Sequence, residues 1–195
     1  MTLTDVLRKK TKKFLQVVSA YLLKIGLTPN FITLFGLLGS VVAAVFVFGG
    51  KFFYGGLIIA LISPFDAIDG MMARMLDTKS LYGCLLDSLI DRYSEMILLL
   101  GLLLNFMYTD NYLGIIFTYF ALSGSFLVSY IRARVEGLGF EVKIGILTRV
   151  ERMIVLVICL LIRQPLVAVV LIALLGNFTA FQRFWYARTK LLINK

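Results

Sequence analysis

Three features of the sequence predict an all-α polytopic membrane protein with six transmembrane helices. Apolar residues make up 60% of the 195 positions, and mean hydropathy is +0.93, more apolar surface than a soluble domain of this length needs. Apolar runs of about 17–25 residues recur, the length that crosses a bilayer core as a helix. The basic residues, which bring the net charge to +9, gather in alternate connections between those runs, as the positive-inside rule describes.

The elements follow in order. Residues 2–24 mix Leu, Val and Phe with Arg8, Lys9, Lys10, Lys12, Lys13 and Lys24. This mixture predicts an amphipathic helix on the membrane surface, so residues 1–26 form a juxtamembrane segment and 27–195 the membrane domain; the alternative is a basic tail that only sets topology. Leu27-Thr28-Pro29-Asn30 opens the first span, with Thr28 suited to an N-cap and Pro29 to the first helical position. Spans are expected at roughly 30–50, 52–75, 80–105, 111–135, 147–164 and 165–187, with boundaries good to a few residues.

Six spans place both termini on one side. That side receives the N-terminal cluster, Arg74 and Lys79, then Arg132, Arg134, Lys143, Arg149 and Arg152, and finally Arg183, Arg188, Lys190 and Lys195. The opposite face receives only Lys51 and Arg163, and Arg92 lies within the third span. Both termini are therefore expected in the cytoplasm, with the protein multi-pass in the cell membrane. No nucleic-acid partner is expected. Cys84 and Cys159 both sit in apolar runs and support no disulfide framework. The chain has no histidine, so proton abstraction at neutral pH falls to a carboxylate, Lys, Tyr or metal-bound water.

Four carboxylates interrupt the apolar pattern: Asp66, Asp69, Asp87 and Asp91. One aspartate at the centre of a membrane helix costs roughly 2.5–3.5 kcal/mol, so four uncompensated ones would cost on the order of 10 kcal/mol. Asp66, Asp69, Gly70, Ala73 and Arg74 share one helical face, and Asp87 and Asp91 share another. Spans 2 and 3 run antiparallel. Asp66 and Asp69 lie roughly 7–12 Å before Arg74, and Asp87 and Asp91 roughly 9–15 Å beyond Leu81, so all four can meet at one depth in the cytoplasmic half. Oxygen ligands without Cys or His point to Mg²⁺ or Mn²⁺. Gly70 and Gly83 allow close approach of a ligand, Arg74 suits a phosphate, and Ser63-Pro64 is placed to kink the helix and widen a cavity. Intramembrane carboxylates also serve ion pathways, and a cation transporter remains the alternative on these residues alone.

The segment D-A-I-D-G-M-M-A-R, eight further residues, then G-C-L-L-D-S-L-I-D resembles the signature of the CDP-alcohol phosphotransferase family, D-x2-D-G-x2-A-R-x8-G-x3-D-x3-D. Asp66, Asp69, Gly70, Ala73, Arg74, Gly83, Asp87 and Asp91 match every fixed position. The resemblance implies a six-helix homodimer with a cytoplasm-facing cavity, which joins a CDP-linked alcohol to an acceptor hydroxyl and releases CMP. It implies that Asp66, Asp69, Asp87 and Asp91 hold two Mg²⁺ or Mn²⁺ ions, with Asp91 also the general base. Pro29, Asn30, Gly70, Arg74 and Ser80 would bind the CDP-lipid.

The acceptor is read from S-Y-I-R-A-R-V-E-G-L-G (129–139), T-R-V-E-R (148–152) and Gln182-Arg183. An arginine cluster beside a phosphotransfer centre suits a phosphorylated acceptor; ordinary positive-inside bias is the plainer account. The layout is similar to the branch of the family that makes phosphatidylinositol phosphate or archaetidylinositol phosphate, with Arg132, Thr148 and Val150 replacing Lys, Glu and Pro of that branch. The resemblance implies inositol 1-phosphate as acceptor, its phosphate bound by Arg132, Arg134, Arg152 and Arg183, with Arg149 a weaker candidate. Glycerol 3-phosphate, giving phosphatidylglycerol phosphate, is the rival acceptor.

Overall fold

Helix starts follow the capping chemistry. A computed structural model describes residues 3–76, 80–142 and 144–193, with side chains from Lys13 to Leu192. Lys79, Lys143 and Lys195 of the charge pattern lie outside the described residues, as do the side chains of Arg8, Lys9, Lys10 and Lys12. The regular elements are α1 (Leu3–Lys24), α2 (Pro29–Phe48), α3 (Phe52–Ile62), α4 (Phe65–Met75), α5 (Leu81–Tyr108), α6 (Tyr112–Glu136), α7 (Arg149–Leu161) and α8 (Pro165–Ile193). Thr28 caps α2 by accepting from the Phe31 amide at 3.3 Å. Ser80 caps α5 by accepting from the Gly83 amide at 2.9 Å, and Asn111 caps α6 through the Gly114 amide at 2.9 Å. Each supplies a partner for an amide that the helix itself leaves without one.

Among the described residues, four stretches are long and apolar enough to cross a membrane: Pro29–Phe48, Phe52–Met75, Tyr112–Glu136 and Pro165–Leu192. Two of the six expected spans look different. The N-terminal half of α5 carries Asp87, Asp91, Arg92 and Glu95, so its length suffices while its composition is too polar. α7 is a helix of 13 residues, about 20 Å at 1.5 Å per residue and short of a full crossing. The second stretch is broken at Ser63-Pro64, where α3 ends and α4 begins. Proline has no amide to donate to the residue four before it. The Ser63 hydroxyl turns back to the Ile59 carbonyl at 2.7 Å.

The main core draws Ala43, Ala44 and Val47 from α2, Ile59 from α3, Leu98, Leu99 and Leu102 from α5, Leu156 and Leu160 from α7, and Val169 and Ile172 from α8. Small residues let the helices close in, the packing mode favoured where lipid removes the hydrophobic drive. A Cβ on Gly101 would lie 2.7 Å from the Ala44 carbonyl, and one on Gly56 would lie 2.9 Å from Leu160 Cβ. Gly39 meets Ile62 in the same way, whereas Gly36 has nothing within 4 Å. A second cluster joins α1 to α2 and α4 through Leu15, Ile32, Ile68, Met71 and Met72. There the buried Ser19 hydroxyl donates to the Ile68 carbonyl at 3.3 Å.

Two arginines hold the connection between α6 and α7. Arg152 on α7 is 1% exposed. Its Nε and Nη2 donate to the two oxygens of Glu95 on α5 at 2.6 and 2.7 Å, and its Nη1 donates to the Leu147 carbonyl at 3.3 Å. Arg183 on α8, also buried, donates to the carbonyls of Ile144 and Val128 at 2.9 and 2.8 Å. It therefore ties the α6–α7 connection to α8. Gly145 passes this guanidinium at φ +137°, and a Cβ there would fall 2.7 Å from Thr179 Cγ2.

Two outcomes are expected in detergent-solubilised protein followed by thermal unfolding. Arg152→Ala leaves Glu95 buried and unpaired, and should cost about 3–5 kcal/mol of stability; an unchanged Tm would contradict the lock. Gly101→Leu should cost about 1–3 kcal/mol by overpacking α2 against α5, while Gly36→Ala should leave Tm where it is.

Candidate active site

The signature aspartates come from two helices, one of which begins just after the Ser63-Pro64 break. Asp66 and Asp69 lie on α4, Asp87 and Asp91 on α5. The two helices are joined by a residue of a third. Arg149, the first residue of α7, places Nη2 at 2.8 Å from Asp66 Oδ2 and Nη1 at 2.6 Å from Asp91 Oδ2. One guanidinium thus holds one carboxylate from each helix, which brings Asp66 and Asp91 to opposite sides of a single planar fork. Arg149 sits three residues before Arg152 on the same helix, so the Glu95 lock fixes its backbone against α5.

Asp69 is nearly fully buried and accepts from Thr33 Oγ1 at 2.6 Å. That bond fixes α4 to the first turn of α2, where Thr33 Oγ1 also lies 3.1 Å from the Pro29 carbonyl. In this arrangement, among the described residues, no three His, Cys, Asp or Glu side chains are grouped closely enough to hold one ion. The reason is local. Asp66 and Asp91 are taken up by a guanidinium, and Asp69 by a hydroxyl.

The donor set nevertheless fits a hard divalent cation. All candidate ligands are carboxylate oxygens, and Asp91 Oδ1 is buried with no hydrogen-bond partner. A buried carboxylate oxygen without a partner is costly, and a cation beside it would remove that cost.

Two of the residues expected to meet the nucleotide, Asn30 and Ser80, come together at helix N-termini. A Cβ on Gly83 would stand 3.0 Å from Ser80 Oγ and 3.7 Å from Asn30 Oδ1, so the openings of α2 and α5 lie side by side. Arg74 folds back over its own helix, and a Cβ on Gly70 would lie 3.6 Å from Arg74 Nη1. Glycine at 70 and 83 leaves room beside groups suited to phosphate and hydroxyl contacts.

A cavity of about 310 Å³ opens from this site between α2, α3, α5 and α7. Its polar end is formed by Asp66, Arg149, Thr33 and Ser94, and its walls by Leu37, Ile59, Ile90, Met153, Ile154 and Val157.

The expected acceptor arginines divide. Arg132 and Arg134 are exposed near the end of α6, with Arg132 Nε paired to Glu136 at 2.8 Å across one turn. Arg152 and Arg183 are buried among protein partners, Glu95 for one and backbone carbonyls for the other. These contacts hold both side chains beside the connection between α6 and α7, through the Leu147 carbonyl for Arg152 and the Ile144 carbonyl for Arg183. Three participants were missed or underweighted. Thr33 carries no sequence signal beyond being a polar residue in an apolar run. Glu95 extends the Asp87, Asp91 stripe by one more turn, a signal the spacing did contain. Arg149 was ranked below the others and is the arginine that touches the carboxylates.

Comparison with known proteins agrees with this geometry. The chain is 34% identical over 186 residues to an archaetidylinositol phosphate synthase of Pyrococcus horikoshii, covering 95% of this chain and 96% of that protein. The crystal structure of Mycobacterium tuberculosis phosphatidylinositol phosphate synthase with CDP-DAG bound superposes with a TM-score of 0.82 at 30% identity, over 90% of this chain and 94% of that one. The same enzyme in complex with manganese and citrate gives 0.83 at 30% identity, over 90% and 89%. Residues 26–182 match the CDP-alcohol phosphatidyltransferase family, and the chain belongs to it: it is a metal-dependent membrane transferase of phospholipid biosynthesis.

Proposed function

We propose that this enzyme transfers a phosphatidyl-type group from CDP-diacylglycerol or CDP-archaeol to the hydroxyl of inositol 1-phosphate, releasing CMP. The observation that carries the reading is the amphipathic cavity. Its charged end holds Asp66 and Arg149, and its walls are aliphatic, a match for a donor with a diphosphate head and hydrocarbon tails. The acceptor assignment is supported by the inositol phosphate synthases among the relatives and by the exposed pair Arg132 and Arg134.

Asn30, Ser80, Gly70 and Arg74 bind the CDP moiety beside the N-termini of α2 and α5. Asp66, Asp69, Asp87 and Asp91 hold two Mg²⁺ or Mn²⁺ ions. Bound there, the ions would neutralise the diphosphate and stabilise CMP as it leaves. Asp91 takes the proton of the acceptor hydroxyl. The acceptor oxygen forms its bond to the β-phosphorus as the bond from that phosphorus to the bridging oxygen of CMP breaks. Arg132 and Arg134 hold the acceptor's phosphate. Arg152 and Arg183 act one step back, by fixing α7 and the connection before it.

Six membrane segments, with α5 and with α7 lengthened at its ends to residues 147–164, put both termini and the site on the cytoplasmic side of the cell membrane. α1 lies along the membrane surface with Phe14, Val17 and Tyr21 exposed. The enzyme works as a homodimer.

Acceptor choice is tested with inositol 1-phosphate, glycerol 3-phosphate, serine and free inositol, each offered with both CDP-lipids. CMP release should be fastest with inositol 1-phosphate, and a preference for glycerol 3-phosphate would reassign the product to phosphatidylglycerol phosphate. Asp91→Asn should lower turnover by about 10²–10⁴-fold with nucleotide binding retained; ordinary rates would remove the base assignment. Arg132→Ala should raise the acceptor KM about tenfold, with little change in the KM for CDP-lipid. Equal changes in both would place Arg132 elsewhere.

A further inference from the structure

We propose that Arg149 is an exchangeable counter-ion: its guanidinium and a divalent cation compete for the same oxygens of Asp66 and Asp91, and the cation releases it toward a phosphate. This rests on the reading that the four aspartates bind divalent ions. The contacts are explicit, at 2.8 Å to Asp66 Oδ2 and 2.6 Å to Asp91 Oδ2. An oxygen that directs its lone pairs at a guanidinium cannot direct them equally at a metal ion. A dication seated there would also repel the fixed positive charge of arginine.

The surroundings allow the exchange. Arg149 Nε is buried with no hydrogen-bond partner, so the pairing with the aspartates leaves one donor of the fork unused. The side chain is 24% exposed and lines the cavity, so it has somewhere to go. Its backbone does not need to move, because Arg152 one turn on is held by Glu95 from α5. The exchange is a side-chain swing on a pinned helix.

Linkage then makes a prediction about order. If metal frees Arg149 and phosphate captures it, metal and phosphate must tighten each other's binding by the same factor. The full-length protein in detergent is titrated with Mn²⁺, and free Mn²⁺ is read by electron paramagnetic resonance. Arg149→Gln should bind Mn²⁺ roughly ten- to hundredfold more tightly than the parent, the scale of a hydrogen bond to a charged group. Arg149→Lys, which keeps the charge but cannot span both carboxylates, should lie between and decides the matter if the Gln variant does not fold. Affinity unchanged or weakened in the folded variants would overturn the competition. Inorganic phosphate should tighten Mn²⁺ binding several-fold in the parent and not in Arg149→Gln; equal tightening in both would overturn the capture. Asp91→Asn separates the two readings. If it binds Mn²⁺ as the parent does, the metal assignment itself fails. If it loses Mn²⁺ while Arg149→Gln is unaltered, the metal site stands and the exchange falls.

Discussion

The architecture depends on compensating acidic groups that apolar helices carry into a low-dielectric region. Asp66, Asp69, Asp91 and Glu95 are each met by a specific partner: Arg149 for two of them, Thr33 for one and Arg152 for the last. Both arginines come from the first turn of α7. That short helix therefore enters the fold through charge as well as through Leu156 and Leu160, which it contributes to the core. The energetic logic is asymmetric, because an intact buried pair contributes little net stability whereas a broken one leaves an isolated charge. The pairs earn their place by fixing register between α4, α5 and α7.

Placement of the site follows from that register. α2 approaches α4 through Thr33 and Asp69, and α5 through Gly101 at Ala44. The same approach sets Asn30 beside Ser80 and Gly83. Residues far apart in sequence thus share one corner because three helices cross closely at positions where only small side chains fit. The aliphatic walls that continue from this corner give one cavity both a charged and an oily character, as a nucleotide-linked lipid demands.

Much of this was legible beforehand. The spacing of the aspartates, Gly70, Arg74 and Gly83 defined the pair of helix faces, and the N-cap at Thr28 was readable from residue type. The Ser63-Pro64 break was legible because proline has a local effect on helix hydrogen bonding. What escaped was pairing across the fold. Five arginines near one face look alike in a one-dimensional pattern, and only packing reveals that Arg152 meets Glu95 and Arg183 meets backbone carbonyls while Arg149 reaches the aspartates. The helix at α7 falls inside the expected 147–164, and its ends at Thr148 and Ile162 lie within the few residues allowed for the boundaries.

The interruption at Ser63-Pro64 has a mechanical meaning. α3 is wedged against α7 at Gly56, whereas α4 answers to α1 through Ser19 and to α2 through Thr33. A continuous rod would transmit any tilt from one end to the other. A jointed one lets the two halves answer to different neighbours, so the acidic segment takes its aim from α1 and α2 while the outer segment is set by the bundle.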